Sequence, residues 1–226
     1  STGNYNAVTA NVYSDMAMFT VDSDLGSDVS ELFNSLTGYS HQEEYRKLLV
    51  APKTMRKHLL QRIERETELH KKYGGGHLAF KMNQLVDKKC IKALYRASQA
   101  GVKVDLQVRG ICCLRPGVPG VSENINVTSL VGRFLEHPRI YYFRNGGDEE
   151  ILLGSADLMP RNLIRRVEQL FPVGDPDLKQ AVKEILTIHL RDNVKSQRML
   201  PDGRYVRVLP AEGEPLLNSQ NWMIKN

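Results

Sequence analysis

No apolar run in the chain approaches the roughly 18 residues that a membrane-spanning helix needs, and nothing at its start resembles a signal peptide. Cysteine is scarce. The three thiols, Cys90, Cys112 and Cys113, form an odd set with a vicinal pair, a poor disulfide framework, so a reducing cytoplasm is expected, with peripheral membrane association as the variant of that location. There is no Cys-x-x-Cys and no His/Cys cluster, which argues against zinc. There is no Walker loop either, so any bound nucleotide is expected to be held without one.

What is present suits a folded catalytic or binding domain. The 226 residues are 41% hydrophobic, enough for one large or two small domains with a buried core. The net charge of +5 leans toward a polyanionic partner, whether nucleic acid, anionic lipid or a phosphate polymer.

Local patterning reads as α/β. After a polar start and a helical stretch, Met16 to Val21 reads as a short strand, Asp22 to Gly26 as a turn and Asp28 to Leu36 as a helix. Tyr45 to Leu49 suggests a strand, and Pro52 opens a long amphipathic helix over 53–72. Its stripe is Met55, Leu59, Leu60, Ile63 and Leu69, and Gly74-Gly75-Gly76 ends it. His77 to Lys81 reads as a strand, followed by a helix to about Ala100 and an alternating strand from Val102 to Val108. Such a unit predicts a parallel pair with a right-handed crossover. The loop from Arg109 to Gly120 then falls at a strand's carboxyl end, where open α/β sheets place ligands. Strands near Ile140 to Phe143 and Ile151 to Leu153 flank an Asn145–Asp148 hairpin turn. Helices near 162–167 and 176–195 follow, with a terminal hairpin around Asp202-Gly203.

Two segments echo one another. Ser1-Thr2-Gly3-Asn4 leads through a helix to Phe19-Thr20-Val21, an acidic turn and a second helix. Gly154-Ser155-Ala156-Asp157 leads through a helix to Phe171-Pro172-Val173, an acidic turn and another helix. Two readings fit: chance similarity of two αβ pieces, or a duplicated lobe whose first copy is cut short.

His137 is the candidate catalytic residue. It precedes a strand, and Gly154-Ser155-Ala156-Asp157 ends the hairpin that follows. This resembles a phospholipase D half-site, which pairs His-x-Lys with Gly-Ser-x-Asn. Here Arg139 stands for the lysine, Asp157 for the asparagine, and Arg144 occupies the spacing of the motif's following Asp. These departures count against an ordinary phosphodiesterase. Phosphoryl transfer needs charge neutralisation and in-line positioning, and imidazole can take a phosphoryl group or deliver a proton near neutral pH. Arg109, Arg115, Arg139, Arg161, Arg165 and Arg166 cluster around the expected site loops, where guanidinium groups suit bidentate phosphate binding; Lys81 and Asn83 are weaker candidates. A solvated basic face is the competing reading for any one of the arginines.

Several stretches carry a more specific likeness. They are Ser1 to Asn6, Lys81-Met82-Asn83, Val108 to Gly117, Gly132 to His137, and Ser155 to Asn162. In order and nearly end to end, they resemble the polyphosphate kinase family. The resemblance implies a phospholipase D-like mixed sheet flanked by helices, and reversible transfer of the ATP γ-phosphoryl group onto polyphosphate with Mg²⁺. It implies the tail of a first catalytic domain over 1–42 and a complete second one over 43–226. Tyr5, Arg109 and His137 match nucleotide-contacting positions. Arg166 and Glu168 match positions lining the phosphate tunnel, and Arg161 and Lys81 are added as phosphate ligands. The phosphohistidine and the Mg²⁺ ligands are expected upstream of Ser1, so this piece alone should fold in its second lobe and make no polymer. The implied partners are ATP or ADP and polyphosphate, with no nucleic acid, in a homo-oligomer. Two alternatives remain: a phospholipase D-type phosphodiesterase, and a non-catalytic module that binds polyanions.

Overall fold

The computed structural model describes residues 1–3, 6–39 and 44–225. Its helices are α1 (Ala7–Ala10), α2 (Ser23–Leu36), α3 (Met55–Tyr73), α4 (Lys88–Gln99), α5 (Pro160–Ile164), α6 (Pro176–Leu190) and α7 (Ser219–Lys225). The strands are β1 (Tyr13–Ser14), β2 (Leu49–Ala51), β3 (His77–Met82), β4 (Lys103–Val108), β5 (Ile125–Leu130), β6 (Leu135–Glu136), β7 (Arg139–Phe143), β8 (Glu150–Gly154), β9 (Glu168–Pro172), β10 (Ser196–Met199) and β11 (Tyr205–Arg207). Nine of them make one mixed sheet in the order β11-β10-β5-β4-β3-β7-β8-β9-β2, while β1 and β6 pair separately and parallel. The α/β class with a helix-flanked mixed sheet is as expected.

The centre of the sheet follows the strand–helix–strand logic. β3 and β4 run parallel, with α4 between them in sequence. Asp87 caps α4 by accepting the Lys89 and Cys90 amides, and Gly101, at φ +97°, turns the chain out of the helix. Because successive strand side chains alternate faces, each central strand feeds two cores. Leu78, Phe80 and Met82 of β3, with Tyr141 and Phe143 of β7, meet Met55, Leu59 and Ile63 of α3 and Leu94 of α4. Ala79, Ile140 and Tyr142 face the opposite way, with Leu25 of α2 and Val182 and Leu186 of α6. Lys81 shares the face of Ala79, and Gln107 of β4 reaches the His189 carbonyl of α6 at 3.1 Å. This second face is therefore partly polar, and it lies under the candidate site.

Several expectations shift. Met16 to Val21 is not a strand; the pairing in this region is by Tyr13–Ser14. The strand expected at Tyr45 to Leu49 begins instead at Leu49 and ends at Ala51, where it pairs with β9. Pro160 opens α5 two residues earlier than expected, and the helix ends at Ile164. The helix expected to reach Lys195 stops at Leu190, because the Asp192 carboxylate takes the amides of Val194, Lys195 and Ser196. β5 and β9 go beyond the sequence reading. β5 carries Asn126, Thr128 and Ser129, and it forms because β4 and β10 flank it. The terminal hairpin is present as β10 and β11. Among the described residues, no helix is long and apolar enough to cross a membrane.

Candidate functional site

The site is built where β3, β4, β6 and β8 end and β7 begins. His137 sits between β6 and β7, and its imidazole is held at both nitrogens. Nδ1 lies 2.9 Å from Asp15 Oδ1, and Nε2 lies 3.0 Å from Arg139 Nη1. A guanidinium can only donate, so Nε2 carries the lone pair and the Nδ1–H donates to Asp15. Tyr13 stacks beside the ring, with centroids 4.7 Å apart. Asp15 also accepts from the Thr2 hydroxyl at 2.9 Å. Burial pushes the Asp15 carboxyl up. The hydrogen bonds from His137 and Thr2, with the nearby Arg139 charge, outweigh it and hold Asp15 below the usual aspartate value.

Arg139 explains the two departures from the phospholipase D pattern together. Its Nε and Nη2 donate to the two Asp157 carboxylate oxygens at 3.1 Å each, a fork-to-fork pair between buried groups. Nη1 is further occupied by the Thr2 and His137 carbonyls. Arg139 and Asp157, the two departures read from the sequence, are thus a matched pair. Asp157 also accepts the Asn83 amide at 2.7 Å, tying the Gly-Ser loop to the end of β3.

Arg109 is half-buried at the end of β4. Its Nε donates to Asn83 Oδ1 and to the Glu136 carbonyl, both at 3.0 Å. Among the described residues both of its hydrogen bonds leave from Nε, so the terminal fork is the part available to an anion. Burial pulls its pKa below the ordinary arginine value, with Asp157 opposing and Arg139 adding to that shift, so a negative partner is welcome there.

The remaining expected residues fall in three places. Lys81 is 2% exposed, with its ammonium 3.2 Å from Glu136 Oε2 and 3.3 Å from the Pro138 carbonyl. It supports the His137 segment from below rather than standing open as a phosphate ligand. Glu168 accepts from the Ser155 hydroxyl in a short hydrogen bond and from Asn162 Nδ2 at 2.6 Å, so it positions the Gly-Ser loop. Gly154 is required in that loop: a Cβ there would meet the Gln169 carbonyl oxygen at 2.0 Å. Arg161 and Arg166 are exposed on and just after α5, as is Arg165, and none of their side chains is joined to His137. Arg115 lies apart as well, donating to the Pro201 carbonyl. Tyr5 lies outside the described residues.

Sequence reasoning passed over Asp15, Glu136, His189 and Gln220. Glu136 is 6% exposed and meets Lys81, the Ser14 hydroxyl at 3.2 Å, His189 Nε2 at 3.4 Å and Gln220 Nε2 at 2.8 Å. Burial pushes its carboxyl up, but Lys81 and His189, with the bonds from Gln220 and Lys81, outweigh that and hold it below the usual value. Burial and the Lys81 charge push His189 down to about 4, so it is neutral at pH 7, with Nε2 3.4 Å from Glu136 Oε2. Burial lowers Lys81 as well, against the pull of Glu136. The acidic neighbour of His137 in its motif could have been singled out. Asp15, 122 residues away in sequence, carried no signal.

Fold and site together define an α/β lobe with a half-buried guanidinium and an oriented imidazole at the ends of its central strands. The comparisons with known proteins are specific. The family described as polyphosphate kinase C-terminal domain 2 matches residues 48–220, and that described as polyphosphate kinase C-terminal domain 1 matches residues 1–42. A polyphosphate kinase of Prosthecochloris aestuarii is 58% identical over 97% of this chain and 31% of its own length. A polyphosphate kinase 1 of Chlorobaculum tepidum is 54% identical over 99% of the chain and 32% of its length. The crystal structure of polyphosphate kinase from Porphyromonas gingivalis superposes with a TM-score of 0.95 at 44% identity, over 99% of this chain and 34% of that one. The chain belongs to the polyphosphate kinase family, and it spans about a third of the length of these relatives.

Proposed function

We propose that the protein reversibly transfers the γ-phosphoryl group of ATP onto polyphosphate, and that this chain supplies the half of the site that grips and neutralises the moving phosphoryl group. The observation that carries this reading is the Arg109 fork, fixed through Nε to the carbonyl of the residue before His137, whose imidazole is oriented at both nitrogens. In the forward step the bond from the γ-phosphorus to the bridging oxygen breaks, its electron pair leaving on ADP, while a nucleophile forms a new bond to phosphorus. Charge on the equatorial oxygens is what a guanidinium stabilises.

His137 is arranged as a clamp and proton carrier rather than as the nucleophile. Its lone pair on Nε2 is held by Arg139, which is itself locked to Asp157. The covalent carrier in this reading is a histidine other than His137. On protonation Nε2 turns from acceptor to donor, exchanging Arg139 for a phosphoryl oxygen, and Asp15 stabilises the imidazolium. Among the described residues no group of three His, Cys, Asp or Glu could hold a metal ion, so no step here is routed through Mg²⁺. ATP or ADP and polyphosphate are the partners in this reading.

The test uses γ-labelled ATP with the purified full-length protein, of which this chain is taken to be a part. Labelled polymer and an acid-labile phosphoenzyme are expected. Arg109→Ala should lower kcat by about 10²–10³-fold, the usual effect of deleting one donor aimed at transition-state charge. Cleavage of a phosphodiester without label would favour the phosphodiesterase reading, and binding of polyphosphate without turnover would favour a binding module. Full activity in His137→Ala would overturn the assignment.

A further inference from the structure

β6 is two residues long, and among the described residues its strand partner is the equally short β1. Two such strands cannot fix a catalytic loop by ladder bonds alone. On the Phe134 side, the C-terminal helix provides what a third strand would. Gln220 of α7 is 6% exposed. Its Oε1 accepts the Phe134 amide at 3.1 Å and its Nε2 donates to the Phe134 carbonyl at 2.8 Å, the donor–acceptor pair a neighbouring peptide would offer. The second Nε2 hydrogen goes to Glu136 Oε1 at 2.8 Å, so both amide hydrogens are used.

Both ends of this latch are built in. The preceding residue, Ser219, donates its amide and hydroxyl to the buried Asp192 at 2.7 and 2.8 Å, and Asn193 brackets Leu217 and Pro215, so α7 is pinned to the end of α6. Opposite, a Cβ on Gly132 would lie 2.3 Å from Gln220 Oε1, so the glycine opening the Gly132–His137 motif keeps the space the amide occupies. His137 follows Glu136 directly, and the Glu136 carbonyl holds Arg109 Nε. The latch thus bears on both phosphoryl-gripping groups.

We propose that Gln220 is a positioning residue for His137 and Arg109, a side-chain amide from the C-terminal helix that takes the place of a missing strand along Phe134–Glu136. The catalytic part of this proposal rests on the function proposed above; the positioning part does not.

The experiment compares Gln220→Glu and Gly132→Ala with the parent, all in the full-length protein. The first replaces the Nε2 donors by a carboxylate facing Glu136, whose other charged or titratable neighbours are Lys81 of β3 and His189 of α6; the second displaces the amide without altering it. In both, kcat should fall by about tenfold or more at pH 8 with KM for ATP little changed, since ångström-scale misplacement costs up to 10²-fold. The ratio of Gln220→Glu to parent activity should recover as the pH falls and the new carboxyl protonates, which a merely structural defect would not do. The double variant should be no worse than the poorer single one. The rate of His137 carbethoxylation, followed by peptide mass, should rise several-fold in both variants at a temperature well below the Tm of each. Kcat and a carbethoxylation rate equal to the parent's in a folded Gln220→Glu would overturn the proposal. If the parent makes no polyphosphate, the function proposal fails, and the carbethoxylation rates still decide the positioning role.

Discussion

The two echoing segments make the most instructive comparison in the molecule. In the second, Phe171 and Val173 are 6% and 3% exposed, and β9 is paired on one side by β8 and on the other by β2. In the first, Phe19 and Val21 are 95% and 102% exposed, and the same Phe-x-Val pattern forms no strand. The helices that follow are alike. Asp22 and Asp175 both cap them by accepting amides of the first turn. Caps are satisfied within a few residues, whereas a strand needs neighbours, and only the second segment has them. Each helix also sinks one titratable group: Asp28 of α2 accepts the amides of Arg46, Lys47 and Leu48, while His189 of α6 faces Glu136.

The largest effect should come from making the second loop more like the first. Asp157→Asn gives it the amide that stands at position 4 and leaves the buried Arg139 charge without its partner. A loss of about 3–5 kcal/mol is expected in denaturant unfolding. An unchanged midpoint would mean that the carboxylate is dispensable and that the two loops are equivalent. Next, Phe171→Ala should cost about 3–4 kcal/mol through the cavity it leaves, while Phe19→Ala should stay within about 0.5 kcal/mol. Equal losses would break the contrast in burial.

The third effect is spread over pH. The folded-state value of His189 is depressed to about 4 from 6.5, so the unfolded chain binds the proton first. Stability should fall as the pH drops from about 6.5 to 4, by on the order of 3 kcal/mol in all, and level off below that. His189→Gln should flatten that step. In α2, burial pushes Asp28 up, but the amides of Lys47, Leu48 and Arg46 and the Arg46 side chain outweigh it, leaving Asp28 below 3.8. Its contribution is present above that value and is lost as the pH falls through its lower folded-state value. Asp28→Asn should therefore change the unfolding profile only at the acid end, and a single shared transition for both variants would remove the distinction.

Much of the site was legible where one short motif carried it. His137 and Arg109 stand at strand ends because alternation marked β3, β4 and β7, and open sheets gather ligand residues at such ends. The surroundings of Lys81 could not be read, because a lysine at a strand end looks the same in sequence whether it meets solvent or, as here, Glu136. The family likeness could be read from ordered stretches, since they are properties of the sequence itself.

By itself the sequence determined the α/β class, the central strand–helix–strand unit and the family, because these depend on neighbours in the chain or on ordered motifs, while the cap at Asp22 was read as a turn. The tertiary structure alone decided which arginines are free and which are spent, that Arg139 and Asp157 compensate each other, and that Asp15 and Gln220 reach the His137 segment. Those contacts span 18 to 122 residues of chain, and a charge or amide is neutralised by whatever folding brings within about 3 Å, which no local pattern encodes.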